Sequence, residues 1–240
     1  MFEIIFKKLK QFDLLKLLFW RIRSLAANVV FRFLNRSLYL GRSVQIIGVN
    51  KIAAGLKCSF GDQLWLNIEN SGLRDKIKTV LIGDYSHFGR NNFITVSDGL
   101  VIGDYFFSSC YCTIIGASHE ADPLYAYISA PVVPLGQRIR IGSNVFMGAH
   151  AKIVGGVTIG FGCIIGAGAI VTSDIPPLSK VVGAPAKIIA SYSIERSRWE
   201  NGTELSDEII SETEYLELLK ANCPSVSIPY HAASVRNGWI

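Results

Sequence analysis

The sequence predicts a mainly β protein, a solenoid wound from six-residue units with helical appendages at both ends. Three observations carry this. Residues 141–176 divide into the blocks IGSNVF, MGAHAK, IVGGVT, IGFGCI, IGAGAI and VTSDIP, opened by Ile141, Met147, Ile153, Ile159, Ile165 and Val171. The fifth place in each is also apolar: Val145, Ala151, Val157, Cys163, Ala169 and Ile175. Gly142, Gly148, Gly160 and Gly166 stand second, where a corner crowds the backbone or φ turns positive. On an α-helix six residues advance about 600°, so the opening residues would share no face. Short extended segments with a corner every six residues stack them in one inner column instead.

The same beat runs earlier. It starts at Leu40, Ile46, Ile52, Cys58 and Leu64, breaks at the polar stretch 70–79, and resumes at Ile82, Phe88 and Ile94. A two-residue insertion at Ser97 and Asp98 shifts the phase, and Ile102, Ser108 and Ile114 follow. A long interruption spans 117–138, with three prolines and two tyrosines, and loops of that length inside a repeat are usually functional. Pro176 and Pro177 end the ladder. The predicted division is therefore an N-terminal segment 1–39, a solenoid 40–190 carrying the loop 117–138, and a C-terminal extension 191–240.

Residues 1–38 mix aliphatic and aromatic side chains with eight Lys or Arg, without the ~18 uncharged residues of a membrane span or a signal-peptide cleavage site. They read as amphipathic helix. Two roles stand open: an in-plane anchor with basic residues toward anionic lipid, or a cap on the solenoid or contact between copies. In the extension, Ser206 to about Asn222 reads as a helix, with an N-cap serine, acids in the first turn and a lysine in the last. Its apolar residues Ile209, Ile210, Tyr215, Leu216, Leu218 and Leu219 are expected to pack on the solenoid.

Composition narrows the function. The chain has 240 residues, half of them hydrophobic, enough for one substantial domain. Five cysteines without CxxC or CxxH spacing favour a reducing compartment, the cytoplasm, and speak against a zinc site or disulfide scaffold. The net charge of +5 is concentrated in the N-terminal segment, which argues against nucleic-acid binding by the solenoid.

The [LIV]-G-x-x-x-x blocks running into VVGAPAKII resemble the hexapeptide-repeat acyltransferases, over roughly residues 40–190. The resemblance implies a left-handed parallel β-helix with three blocks per triangular turn, commonly a homotrimer, with the long loop reaching across a subunit boundary. About seventeen blocks then make nearly six turns. It implies acetyl-CoA as co-substrate, a sugar or surface polysaccharide as acceptor, and no metal.

Of the four histidines, His119 is the candidate base, because it opens the long loop in IIGASHE. An imidazole can take a proton from an attacking hydroxyl and pass it to the leaving thiol. Its place resembles that of the catalytic histidine of sugar O-acetyltransferases. His87 and His150 occupy repeat positions and read as structural or groove-lining, and Glu120 is a weak candidate to orient the imidazole.

Ala149 and Ala167, eighteen residues apart, stack in adjacent coils after Gly148 and Gly166. They leave a flat strip of backbone for a pantetheine arm. The resemblance assigns the coenzyme A arm there, with Phe146 as an apolar wall by the acyl group and Thr172, Ser173 and Lys187 near the phosphates. Relatives often have Trp for Phe146 and Lys or Arg for Ser173, which leaves Lys187 as the nearer cation. Asn92 resembles the polar residue that contacts the acceptor or holds the oxyanion. Tyr125 and Tyr127 offer a platform for a sugar ring or anchor the loop.

Four functions compete. The first is O-acetylation of a sugar or polysaccharide, and the second N-acetylation of a nucleotide-linked amino sugar. The third is a γ-type carbonic anhydrase, whose three-histidine zinc site is poorly provided for by His119 alone between residues 88 and 149. The fourth is a non-catalytic scaffold. A thiol nucleophile at Cys110 or Cys112 is the mechanistic rival to His119.

Overall fold

The computed structural model describes residues 38–69, 79–124, 126–202, 210–223 and 225. The expected N-terminal helix, Tyr125 and the stretch containing Ser206 and Ile209 lie outside them. Among the described residues, consecutive strands do not pair along the solenoid. Each coil strand instead pairs in parallel with a strand of the next coil, in three sheets of seven, six and five coil strands, the first lengthened by two antiparallel strands after the last coil and the second by one from the long loop. The first sheet stacks Tyr39–Leu40, Ser59–Phe60, His87–Phe88, Phe107–Ser108, Phe146–Met147, Ile164–Ile165 and Ser179–Val182. The second holds Gln45–Ile47, Trp65–Ile68, Phe93–Val96, Thr113–His119, Lys152–Val154 and Ile170–Val171, and the third runs from Ile52–Ala54 to Thr158–Ile159.

Register aligns the apolar columns. Phe60, Phe88, Ser108, Met147, Ile165 and Val181 stack in the first sheet, and Leu66, Ile94, Ile114, Ile153 and Val171 in the second. All are buried. The early phase differs from the expected one. A 3-10 turn at Val49–Lys51 inserts two residues, so Ala54, Phe60 and Leu66 open their blocks rather than Ile52, Cys58 and Leu64. First and fifth places both face inward, and Ile52, Cys58 and Leu64 are buried too, so apolarity alone does not distinguish the two phases.

The glycines in second place are explained by crowding. A Cβ on Gly148 would stand 2.6 Å from the amide nitrogen of Ala167, in the coil above. Positive φ falls two residues later, at fourth places that tolerate side chains, such as Tyr111, Asn144 and His150.

After the last coil, Lys187–Ser193 and Arg198–Asn201 fold back antiparallel and extend the first sheet. The C-terminal helix spans Glu212–Asn222 and is capped by Ser211, whose side chain and Glu214 form a reciprocal capping box. Ser211 thus takes the role expected of Ser206. Tyr215 stacks on Phe161 at 4.8 Å, and its hydroxyl accepts from Asn144 Nδ2 at 2.5 Å. Leu218, expected to pack, is 42% exposed.

A ladder at the corner between the third and first sheets explains the docking. The amides of Leu56, Asp84 and Asp104 donate to side-chain oxygens of Asp84, Asp104 and Ser143, each one coil onward. The next coil offers Phe161, which cannot accept. Glu212 of the helix supplies the missing acceptor for the Ser143 amide, at 2.6 Å.

Candidate active site

Thr113–His119 leaves the second sheet at its far end and pairs antiparallel with Val132–Pro134, so that His119 faces Val132 at the base of the long loop. The imidazole is exposed, and its Nδ1 lies 2.8 Å from the carbonyl oxygen of Ala130. A carbonyl only accepts, so Nδ1 carries the hydrogen and Nε2 keeps its lone pair toward solvent. That is the tautomer of a general base. Glu120 does not orient it, since its carboxylate accepts from the Ala121 amide.

The strip lies at the corner between the first and second sheets. Ala149 is half-buried and Ala167 exposed, stacked one coil apart. The amides of Gly148 and Gly166 are spent on the coil ladder, donating to Ile165 and Val181. Phe146, 38% exposed, stacks on Phe107 at 5.4 Å on the adjoining outer face. Thr172, Ser173 and Lys187 are exposed. The Ala186 amide donates to Ile170 and the Ile170 amide to Gly183, which hold the turn carrying Lys187 against the strand leading to Thr172.

Asn92 is corrected. It is 2% exposed; Nδ2 donates to Ser108 Oγ at 2.7 Å, and Oδ1 accepts from the Cys112 amide at 2.6 Å. It occupies an inward fifth place, and the network it serves lies inside the coil. Its neighbour Asn91, with φ 57° at the corner, is the asparagine outside the core. The doublet hid this, because the inward place differs from the outward one by a single residue.

Burial raises the Cys112 and Cys58 thiols to about 11 and the Cys163 thiol to about 12, which removes all three as thiolate nucleophiles. His87 is buried, with Nδ1 2.6 Å from Ser59 Oγ and its ring stacked on Phe107, a structural placement. His150 is exposed at the strip corner. Tyr127 is 59% exposed in the loop, clear of any packed anchor role. A concavity of about 630 Å³ on the third sheet, rimmed by Phe161, Pro177 and Glu212, includes neither His119 nor the strip.

His119 and the strip stand at opposite edges of the second sheet. From Thr113, beside the strip corner, to His119 is six residues of extended chain, roughly 20 Å. A single chain does not bring the two halves together.

The hexapeptide repeat of succinyl-transferase matches residues 138–173, the most regular coils. In repeat and fold the chain is similar to hexapeptide-repeat acetyltransferases. Among its relatives, a probable acetyltransferase of Mycobacterium tuberculosis is 29% identical over 77% of this chain and 59% of its own length. The putative lipopolysaccharide biosynthesis O-acetyl transferase WbbJ of Escherichia coli K12 is 29% identical over 50% of this chain and 62% of its own. The chain thus spans less than two thirds of these relatives. Among solved structures, a variant of AntD, an N-acyltransferase from Bacillus cereus, in complex with dTDP-4-amino-4,6-dideoxyglucose and coenzyme A, shares the fold. Its TM-score is 0.56 at 18% identity, covering 81% of this chain and 96% of that one.

Proposed function

We propose that the protein is an acetyl-CoA-dependent O-acetyltransferase acting on a hydroxyl of a sugar or surface polysaccharide, working as a left-handed, homotrimeric β-helix. The observation that carries the reading is the His119 imidazole, locked by Ala130 with Nε2 free to accept a proton. The acceptor O–H gives its proton to Nε2 as its oxygen attacks the thioester carbonyl. The resulting oxyanion collapses, the C–S bond breaks, and the Nε2 proton passes to the coenzyme A thiolate. No acyl-enzyme forms.

Coenzyme A lies along Gly148, Ala149, Gly166 and Ala167, with Phe146 by the acyl end and Thr172, Ser173 and Lys187 by the phosphates. The roughly 20 Å between His119 and this strip supports a site completed by His119 of the partner subunit. WbbJ, named for O-acetyl transfer in lipopolysaccharide biosynthesis, favours a hydroxyl acceptor; AntD, bound to an amino sugar nucleotide, favours an amine. An amine acceptor uses the same base. Such acceptors would place the enzyme in the cytoplasm, at the inner membrane face if residues 1–38 anchor it. The test is acetyl-CoA consumption against sugars, amino sugars and native polysaccharide, with nuclear magnetic resonance locating the new ester or amide. Coenzyme A binding without transfer to any of them would overturn the enzymatic reading.

A further inference from the structure

The corner beside the strip carries a column of left-handed residues at fourth places: Asn91, Tyr111, His150 and Gly168, with φ 57°, 59°, 61° and 69°. Their amides donate to Asp62, Arg90, Cys110 and Ala149, each in the preceding coil, which fixes them in one line. The Tyr111 and His150 rings therefore lie parallel, 5.0 Å apart and 2° from coplanar. That separation is close to the ~4.8 Å step between paired strands, so the rings are stacked along the solenoid axis. Both are exposed, Tyr111 by 47%.

One step further along the column stands Gly168, where an added Cβ would meet nothing within 4 Å. The His150 face turned to that coil thus looks over a position without a side chain, directly beside Ala149 and Ala167. Aromatic faces accept the C–H surface of a saturated ring, and the phenol and imidazole edges offer hydrogen bonds to its hydroxyls.

We propose that the Tyr111–His150 stack is the acceptor platform, receiving the C–H face of a pyranose in the opening left by Gly168. This deepens the acetyltransfer reading and rests on it. The level of the platform favours an acceptor over the adenine of the donor. It flanks the strip, where the donor is a pantetheine chain, whereas the groups assigned to the phosphates lie further along, at Thr172, Ser173 and Lys187.

The test uses a panel of methyl glycosides by saturation-transfer magnetic resonance and steady-state kinetics, with coenzyme A binding by calorimetry. Tyr111→Ala and His150→Ala are expected to raise the acceptor KM about tenfold or to abolish glycoside saturation, with coenzyme A affinity unchanged. His150→Tyr keeps the stack and should restore binding. Gly168→Asn, a residue that tolerates φ above zero, fills the opening and should act like the alanine variants. Unchanged acceptor binding in all of these overturns the platform, and loss of coenzyme A affinity instead assigns the stack to the donor and overturns it equally. Failure of the transferase reading shows separately, as wild-type protein that binds no coenzyme A. Glycoside saturation that disappears in His150→Ala would still support the platform in that protein, and its persistence would overturn it.

Discussion

His119 Nδ1 lies 2.8 Å from the carbonyl oxygen of Ala130, eleven residues on, across the stem of the long loop. The loop therefore holds the imidazole that precedes it. The carbonyl of Ala130, at the end of the 3-10 turn Tyr127–Ser129, fixes which imidazole nitrogen carries the hydrogen, and it does so without a carboxylate. His119→Ala is expected to lower kcat by at least about 100-fold while coenzyme A affinity stays within twofold. Near wild-type turnover would remove His119 from the mechanism.

The distance between His119 and the strip gives a second expectation. His119→Ala and Ala149→Trp should each be inactive alone, one lacking the base and the other blocking the strip. Co-assembled in mixed oligomers, they should regain part of the activity, because one interface then joins an intact His119 to an intact strip. No recovery, with mixed oligomers verified by mass, would refute a shared site.

Asn92→Ala strands the Cys112 amide and the Ser108 hydroxyl inside the coil. A loss of about 3 kcal/mol in unfolding free energy is expected, with kcat per folded molecule unchanged. A fall in kcat at full stability would restore the catalytic role that its burial denies.

Tyr215→Ala removes both the Phe161 stack and the acceptor for Asn144. Stability should fall by about 2 kcal/mol, and protease should cut before Glu212. Denaturation curves that superpose on wild type would show that the helix adds nothing to the solenoid.

Thiols raised to about 11 or 12 stay protonated at pH 8, so Cys58, Cys112 and Cys163 should resist iodoacetamide in the folded protein. Exposed Cys223 should react. Rapid modification of Cys112 at pH 8 would return Cys112 as a candidate nucleophile.

The solenoid and its coils from Ile82 onward are legible in the amino-acid sequence alone, as are the places of His119 and Ala149, to which the proposed function gives its two halves. These are local: an inward place recurring every six residues is written into the side chains that fill it, and Ile141 to Val171 keep it without interruption. Where two adjacent residues or two inward places compete, composition stops short. Ile52 and Ala54 both suit the interior, and only pairing with Val80 and Ile82 shows which opens its block. Asn91 and Asn92 are chemically identical, and the corner between sheets decides which one is buried. The stack of Tyr111 on His150 across 39 residues and the use of Glu212 to finish a ladder begun at Leu56 depend on coil-to-coil register, and the tautomer of His119 on how its loop folds back. That register is set by hydrogen bonds between residues separated by whole turns and insertions, which a linear pattern does not encode. The length of the strand Thr113–His119 separates His119 from the strip, and so brings a second copy into the proposed site.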